Sequence, residues 1–267
     1  MPFSAYDPSM AEVQYEASGG SAVITINRPE RRNAMSIGVM KGIRDALDVA
    51  ARSDDVRVVV LTGAGDRAFS AGADLASIGD VGGAIAQHES RGLLADVFRG
   101  LILLDKPSVA KVRGYALAGG FGLALACDFV IAASNAQFGT PEIDVGLWPY
   151  MITVPLVRSM PPRYALELMT TGRRVGANEA QRVGFINRVV DPDELDGATD
   201  SFVRELASKS PAVLRLGRRA FYRSLGMNWD DALDYLQSML TVTLESEDTA
   251  EGLAAFAEKR QPNWTGR

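Results

Sequence analysis

The chain has 267 residues, 47% of them hydrophobic and 23% charged, and a formal net charge of -5. That balance excludes a disordered chain, offers no basic footprint for nucleic acid, and suits one large core or a core with a smaller appendage. A single cysteine, Cys127, and a single histidine, His88, exclude an internal disulfide framework, fit a reducing cytoplasmic compartment and point away from any metal site.

Taken in chain order, the start MPFSAYDPSMAE has neither a basic segment nor an apolar run and does not read as a secretory signal. Val23-Ile24-Thr25-Ile26 is a β-branched run that ends at Arg28-Pro29, as a strand does at proline. Ser36 is placed to cap a helix on which Ile37, Met40, Ile43, Leu47 and Ala50 recur at helical spacing. Ser53-Asp54-Asp55 closes that helix, and residues 56–62 read as a buried strand. A second round predicts a strand over 108–112, a small-residue helix over 119–127 and a strand over 129–132. The nearly uncharged stretch 116–133 contains Asp128 and glycines 119, 120 and 122, so it reads as strand, turn and helix and not as a membrane span. Strands alternating with helices predict an α/β architecture. After Asp191-Pro192 the strand signal vanishes and helices are expected over 193–208, 211–225, 229–244 and 249–259. In the third of these Leu233, Leu236 and Leu240 share a face, which favours a subunit interface. The domain reading is therefore a core over 1–192 and a helical region over 193–267.

Three segments could carry chemistry. Thr62-Gly63-Ala64-Gly65-Asp66-Arg67-Ala68 matches the loose dinucleotide pattern, which needs a following helix; Gly72 stands where that helix would begin, and a plain turn is the simpler reading. Two small-residue turns, Ser70-Ala71-Gly72-Ala73-Asp74-Leu75 and Gly114 to Gly122, follow apolar strands. Turns of this kind leave backbone N–H groups free, and two of them on one oxygen make an oxyanion hole; tight helix–strand packing is the alternative. Glu142 follows a proline turn in an apolar context, where burial would raise its pKa into the range of useful proton exchange. Its alternative is a solvated glutamate at a helix start. Asp144, His88 and Glu89 are further candidate acids, His88 reading more simply as a surface histidine. Trp148 and Tyr150 could line a pocket or pack in the core, and Cys127 reads as core packing.

The ordered set INRPERRNAMS, SAGADL, KPSVAKVRGYALAGG followed by ACD, QFGTPEIDVGL and EGLAAFAEKRQPNW resembles the crotonase (enoyl-CoA hydratase/isomerase) superfamily along nearly the whole chain. The resemblance implies a spiral of ββα units with a C-terminal helical trimerisation region, and a cytoplasmic homotrimer or homohexamer. It implies an acyl-CoA thioester as substrate, no membrane or nucleic-acid partner, and no cofactor beyond the coenzyme A of the substrate. It places the thioester oxygen on the N–H groups of Ala73 and Gly119 and the proton exchange on Glu142. For substrate binding it points to Arg31, Arg32, Ala71, Asp74, Leu75, Gly120 and Lys259, with Arg28 and Arg260 as further cations. Family hydratases carry a second glutamate where this chain has Gly122, and many carry a lysine where it has Ala76. The expected activity is addition of water to a 2-enoyl-CoA. A double-bond isomerase using Glu142 alone and a non-catalytic acyl-CoA-binding protein are the alternatives.

Overall fold

The Val58–Gly63 run, VVVLTG, divides its side chains between two cores. Val59 and Leu61 join one buried cluster and Val58 and Val60 another, as the two-residue period of a strand demands when both faces are covered. This strand, β3, is central in a six-stranded sheet of order β1-β2-β3-β5-β7-β10. The computed structural model describes residues 12–74 and 82–267. β1 (Val13–Ser18) and β2 (Ser21–Ile26) form an antiparallel hairpin, turned by Gly19 and Gly20, both at positive φ, as such two-residue turns require. β5 (Ser108–Val112), β7 (Phe129–Ala133) and β10 (Arg188–Val190) extend the sheet in parallel from β3.

A second, smaller sheet was not legible in the sequence. It runs β4 (Ala68–Ser70), β6 (Tyr115–Leu117), β8 (Gln137–Gly139) and β9 (Arg174–Gly176), the first three parallel and the last antiparallel to β8. The chain thus delivers one strand to the large sheet, the next to the small sheet, then a helix, and repeats. β3 and β4 precede α2 (Ala84–Leu103), β5 and β6 precede α3 (Gly119–Ala126), and β7 and β8 precede the short α4 (Thr153–Ser159). This is the expected ββα spiral.

α1 (Ile37–Arg52) begins at Ser36, whose Oγ accepts from the Val39 N–H at 3.1 Å, the N-cap anticipated from sequence. α1 and α2 contribute Val39, Ile43, Val97 and Leu101 to the larger cluster. α3 is buried at every residue, which an apolar, glycine-rich helix permits. α5 (Pro162–Thr171) and α6 (Ala177–Val183) follow. On the other face of the large sheet, α7 (Leu195–Ala207) places Leu195 and Val203 against Val58, Val109 and Ile131. Beyond it lie α8 (Pro211–Ser224), α9 (Trp229–Leu244) and α10 (Glu247–Glu258). α8 is tied back by Arg218, whose Nε pairs with Asp128 at 2.8 Å and whose guanidinium caps the Leu101, Ile102 and Leu104 carbonyls at the end of α2. The Leu233, Leu236 and Leu240 face of α9 is left uncovered by the chain itself. No helix among the described residues is long and apolar enough to cross a membrane.

Candidate active site

Three parallel strands of the small sheet end side by side, and each releases one of the residues singled out above. Ala73 stands three residues past the end of β4, Gly119 two past β6, and Glu142 three past β8. The carboxyl ends of adjacent parallel strands are where an α/β fold gathers a ligand site. β6 and β8 end in register, with Leu117 opposite Gly139, and the Ala118 N–H donates to the Gly139 carbonyl at 2.8 Å. The turn that carries Gly119 is therefore bonded to the segment that leads into Glu142.

The two amide-bearing turns touch. A Cβ at Gly72 would lie 2.5 Å from the Ala118 Cβ, and Gly72 has φ +97°; both facts require glycine there. A Cβ at Gly120 would lie 2.5 Å from the Ser70 carbonyl oxygen, so Gly120 lets the start of α3 close onto the end of β4. Ala118 itself sits at φ 53°, ψ -131°, a conformation that costs an alanine about 1–3 kcal/mol. The strain turns the chain abruptly from β6 into α3 and leaves the Gly119 N–H at the open N-terminus of the helix. The position of a Cβ on Gly119 is 3.9 Å from the Ala73 nitrogen. Among the described residues neither the Ala73 nor the Gly119 N–H has a backbone acceptor, whereas the Ala71 and Asp74 amides donate to the Arg32 and Met35 carbonyls at 3.0 Å. Two backbone donors without a backbone acceptor thus lie on adjoining turns.

Residues 28–36 brace the Ala73 turn. Met35 pairs with Ala73 as an isolated parallel bridge, the Met35 N–H donating to the Gly72 carbonyl at 2.7 Å. Asn33, fully buried and left-handed at φ 55°, accepts from the Arg28 N–H and donates to the Ala64 and Ala68 carbonyls, at 2.9, 3.0 and 2.7 Å. Sequence reasoning missed Asn33. Its one signal was an asparagine between charged residues and an apolar run, since asparagine tolerates the left-handed region and bonds to nearby backbone.

Glu142 lies in a 3-10 turn, Pro141–Val145, started by the proline and ended at Gly146 with φ 75°. Its Oε2 is buried without a hydrogen-bond partner. Burial pushes the carboxyl from its ordinary 4.5 up to about 7, against the smaller opposing effect of its own backbone N–H. A buried polar atom without a partner inside the protein marks a place for an outside one. Thr140, buried just before it, donates to the Leu168 carbonyl at 2.8 Å and anchors the turn to α5. Asp144 does not share this position, because its carboxylate oxygens lie 3.1 Å from where a Cβ on Gly172 would stand, at the end of α5.

Position 122 is closed. A Cβ there would meet Ile152 Cγ2 at 2.4 Å, Ile152 Cβ at 2.7 Å and Phe98 Cζ at 3.0 Å. Glu142 therefore has no carboxylate partner on α3, and the volume is apolar. Neither Ile152 nor Phe98 was singled out from the sequence.

The remaining candidates divide. Ala71 and Asp74 lie on the braced turn, Asp74 held by Arg28, while Leu75 and Ala76 lie outside the described residues. Arg31, Arg32 and Lys259 are exposed, Lys259 ending α10 at φ 54°, and Arg260 is engaged by Glu251 and Glu258. His88 and Glu89 are exposed on α2, the simpler of the two expectations. Trp148 packs partly against the core, but Tyr150 is 77% exposed, which corrects the expectation of buried packing there. Cys127 is buried and its thiol is pushed up by desolvation, in keeping with core packing. The glycine-rich segment after β3 leads into strand β4 and not into a helix, so the dinucleotide reading fails for want of a helix N-terminus.

The family model described as enoyl-CoA hydratase/isomerase matches residues 16–267. The chain is 35% identical over 248 residues to a short-chain-enoyl-CoA hydratase of Clostridium acetobutylicum, covering 92% of this chain and 94% of that protein. It is 36% identical over 266 residues to a carnitinyl-CoA dehydratase of Escherichia coli, covering 97% and 100%. Among solved structures, an enoyl-CoA hydratase of Mycobacterium smegmatis superposes with a TM-score of 0.91 at 30% identity, over 95% of this chain and 98% of that one.

Proposed function

The chain belongs to the enoyl-CoA hydratase/isomerase family, and from that premise we propose that it is a hydratase-like lyase acting on 2-enoyl-CoA thioesters. The thioester oxygen is received by the N–H groups of Ala73 and Gly119, and Glu142 moves the proton. The observation that carries this reading is the buried, unpartnered Oε2 of Glu142, on a carboxyl raised to about 7. Such a group is populated in both forms near neutral pH, as a residue that must first take and then return a proton needs to be. In the hydration direction Glu142 takes a proton from water, whose hydroxyl oxygen bonds to C3 of the acyl chain. The C2–C3 π electrons move towards the thioester, whose enolate oxygen the two amides stabilise. Glu142 then returns its proton to C2, so that one water is added in all. Each amide donor of an oxyanion hole supports about 3 kcal/mol of such stabilisation.

One observation favours a second reading. With position 122 filled by Ile152 and Phe98, Glu142 must do alone what two carboxylates share elsewhere in the family. A proton shuttle from C2 to C4 of a 3-enoyl-CoA, which shifts the double bond to C2–C3 and is isomerisation, needs only one base and no bound water. Exposed Arg31, Arg32 and Lys259 are proposed to meet the phosphates of coenzyme A. We further infer a homotrimer or homohexamer, supported by the uncovered apolar face of α9, and a cytoplasmic location, supported by the single cysteine. The deciding experiment is a mass-resolved assay of 2-enoyl- and 3-enoyl-CoA substrates in deuterated water. A product heavier by one water supports hydration. A shifted double bond, or deuterium uptake without added water, makes isomerisation the better name. Absence of any turnover across chain lengths would leave only thioester binding.

A further inference from the structure

Arg28 looks from sequence like a cation for coenzyme A, yet its side chain is already spent inside the protein. Its Nε meets Glu12 Oε1 at 2.9 Å, its Nη1 donates to the Ala34 carbonyl at 2.7 Å and its Nη2 meets Asp74 Oδ2 at 2.9 Å. The side chains of Arg28 and Asp74 are only 14% and 13% exposed. Asp74 directly follows Ala73, and Ala34 directly precedes the Met35 that bridges to Ala73. One planar guanidinium therefore fixes both chains of that bridge at the residue whose N–H is left without a backbone acceptor. The same two segments are also linked by the backbone bonds of Met35 and Ala71 and by the amide of Asn33.

We propose that Arg28, acting through Asp74, is a positioning residue that aims the Ala73 N–H at the thioester oxygen. The fork geometry matters: a lysine is a point charge and cannot hold a carbonyl and two carboxylates in fixed directions. Because an error of about 1 Å in a catalytic donor can cost about a hundredfold in rate, loss of the brace should be read in kcat more than in KM. This inference rests on the reading that Ala73 and Gly119 receive the thioester oxygen, and the test separates the two.

The test is isotope-edited infrared spectroscopy of [1-13C]butanoyl-CoA, a saturated thioester that cannot be hydrated, bound to the wild type and to the variants Arg28→Met and Asp74→Asn. Turnover of a short 2-enoyl-CoA is measured alongside. In the wild type the bound carbonyl band should move to lower frequency than in free ligand. Both variants should lose a large part of that shift at saturating ligand, with kcat falling by about ten- to a hundredfold and KM changing by less than about threefold. Asp74→Asn keeps the side-chain shape and decides the matter should Arg28→Met not fold. An undiminished band in the variants overturns the role of Arg28 alone, as does a raised KM with kcat unchanged, which would mark a coenzyme A contact. An unshifted band in the wild type overturns the oxyanion reading itself.

Discussion

Glu142→Gln separates what the carboxyl does for chemistry from what it costs the fold. The carboxyl ionises near 4.5 in its ordinary state and near about 7 in the folded chain because burial disfavours its charge. The sign follows from linkage: above 4.5 the unfolded chain releases this proton while the folded chain retains it, so stability falls as pH rises and levels off once pH passes about 7. Between about pH 5 and pH 8 such a carboxyl would withdraw at most about 2.5 kcal/mol, and partial solvent access at the site reduces this to about 1.5 kcal/mol. Glutamine does not titrate, so the wild-type penalty should be missing from the variant. Its own cost, a buried amide NH2 without a partner, is the same at both pH values and cancels from the difference. Urea unfolding at the two pH values should therefore show the variant gaining on the wild type by about 1.5 kcal/mol as pH rises. Turnover should fall by about a thousandfold while acyl-CoA binding persists. A stability difference that does not change with pH would refute the burial argument, and a fully active variant would refute the role of Glu142.

Other outcomes follow from the same geometry. The kcat/KM of the wild type should rise through an apparent pKa near about 7, because the base must be ionised to accept a proton; a profile flat from pH 5 to 9 would speak against Glu142. Gly122→Ala should destabilise by about 1–3 kcal/mol because its Cβ would enter Ile152, and adding Ile152→Ala should give less than the sum of the two single losses, measured as a double-mutant cycle in urea. Asn33→Ala should cost about 3 kcal/mol or more, since it orphans the Arg28 N–H and two carbonyls and places alanine in the left-handed region; thermal unfolding at matched pH reads the loss. Arg218→Met should cost about 3 kcal/mol by leaving Asp128, whose side chain is only 10% exposed, without its cation, with little effect on kcat in the variant that remains folded.

Local sequence determined the parts of this protein in which the signal is periodic or repeated within a few residues. The Ser36 cap and its helix, the strands β2, β3, β5 and β7 of the large sheet and the late helices were legible from their apolar runs and spacing, whereas β1 and the three-residue β10 of that sheet were not anticipated. The ordered motifs around Ala73, Gly119 and Glu142 were legible as short-range chemistry, and together they pointed to the family to which the chain belongs. The small sheet was not legible, because β4, β6 and β8 are three residues each and show no alternation; they exist only because they pair with one another across long stretches of chain. That pairing sets Ala73, Gly119 and Glu142 at neighbouring strand ends. Tertiary structure alone also decided that Arg28 is consumed by Asp74, that Asn33 is a buried strut, and that Ile152 and Phe98 fill the space beside Gly122. Each of these depends on residues far apart in sequence meeting at atomic distance, where a few ångströms decide between a ligand contact and a brace.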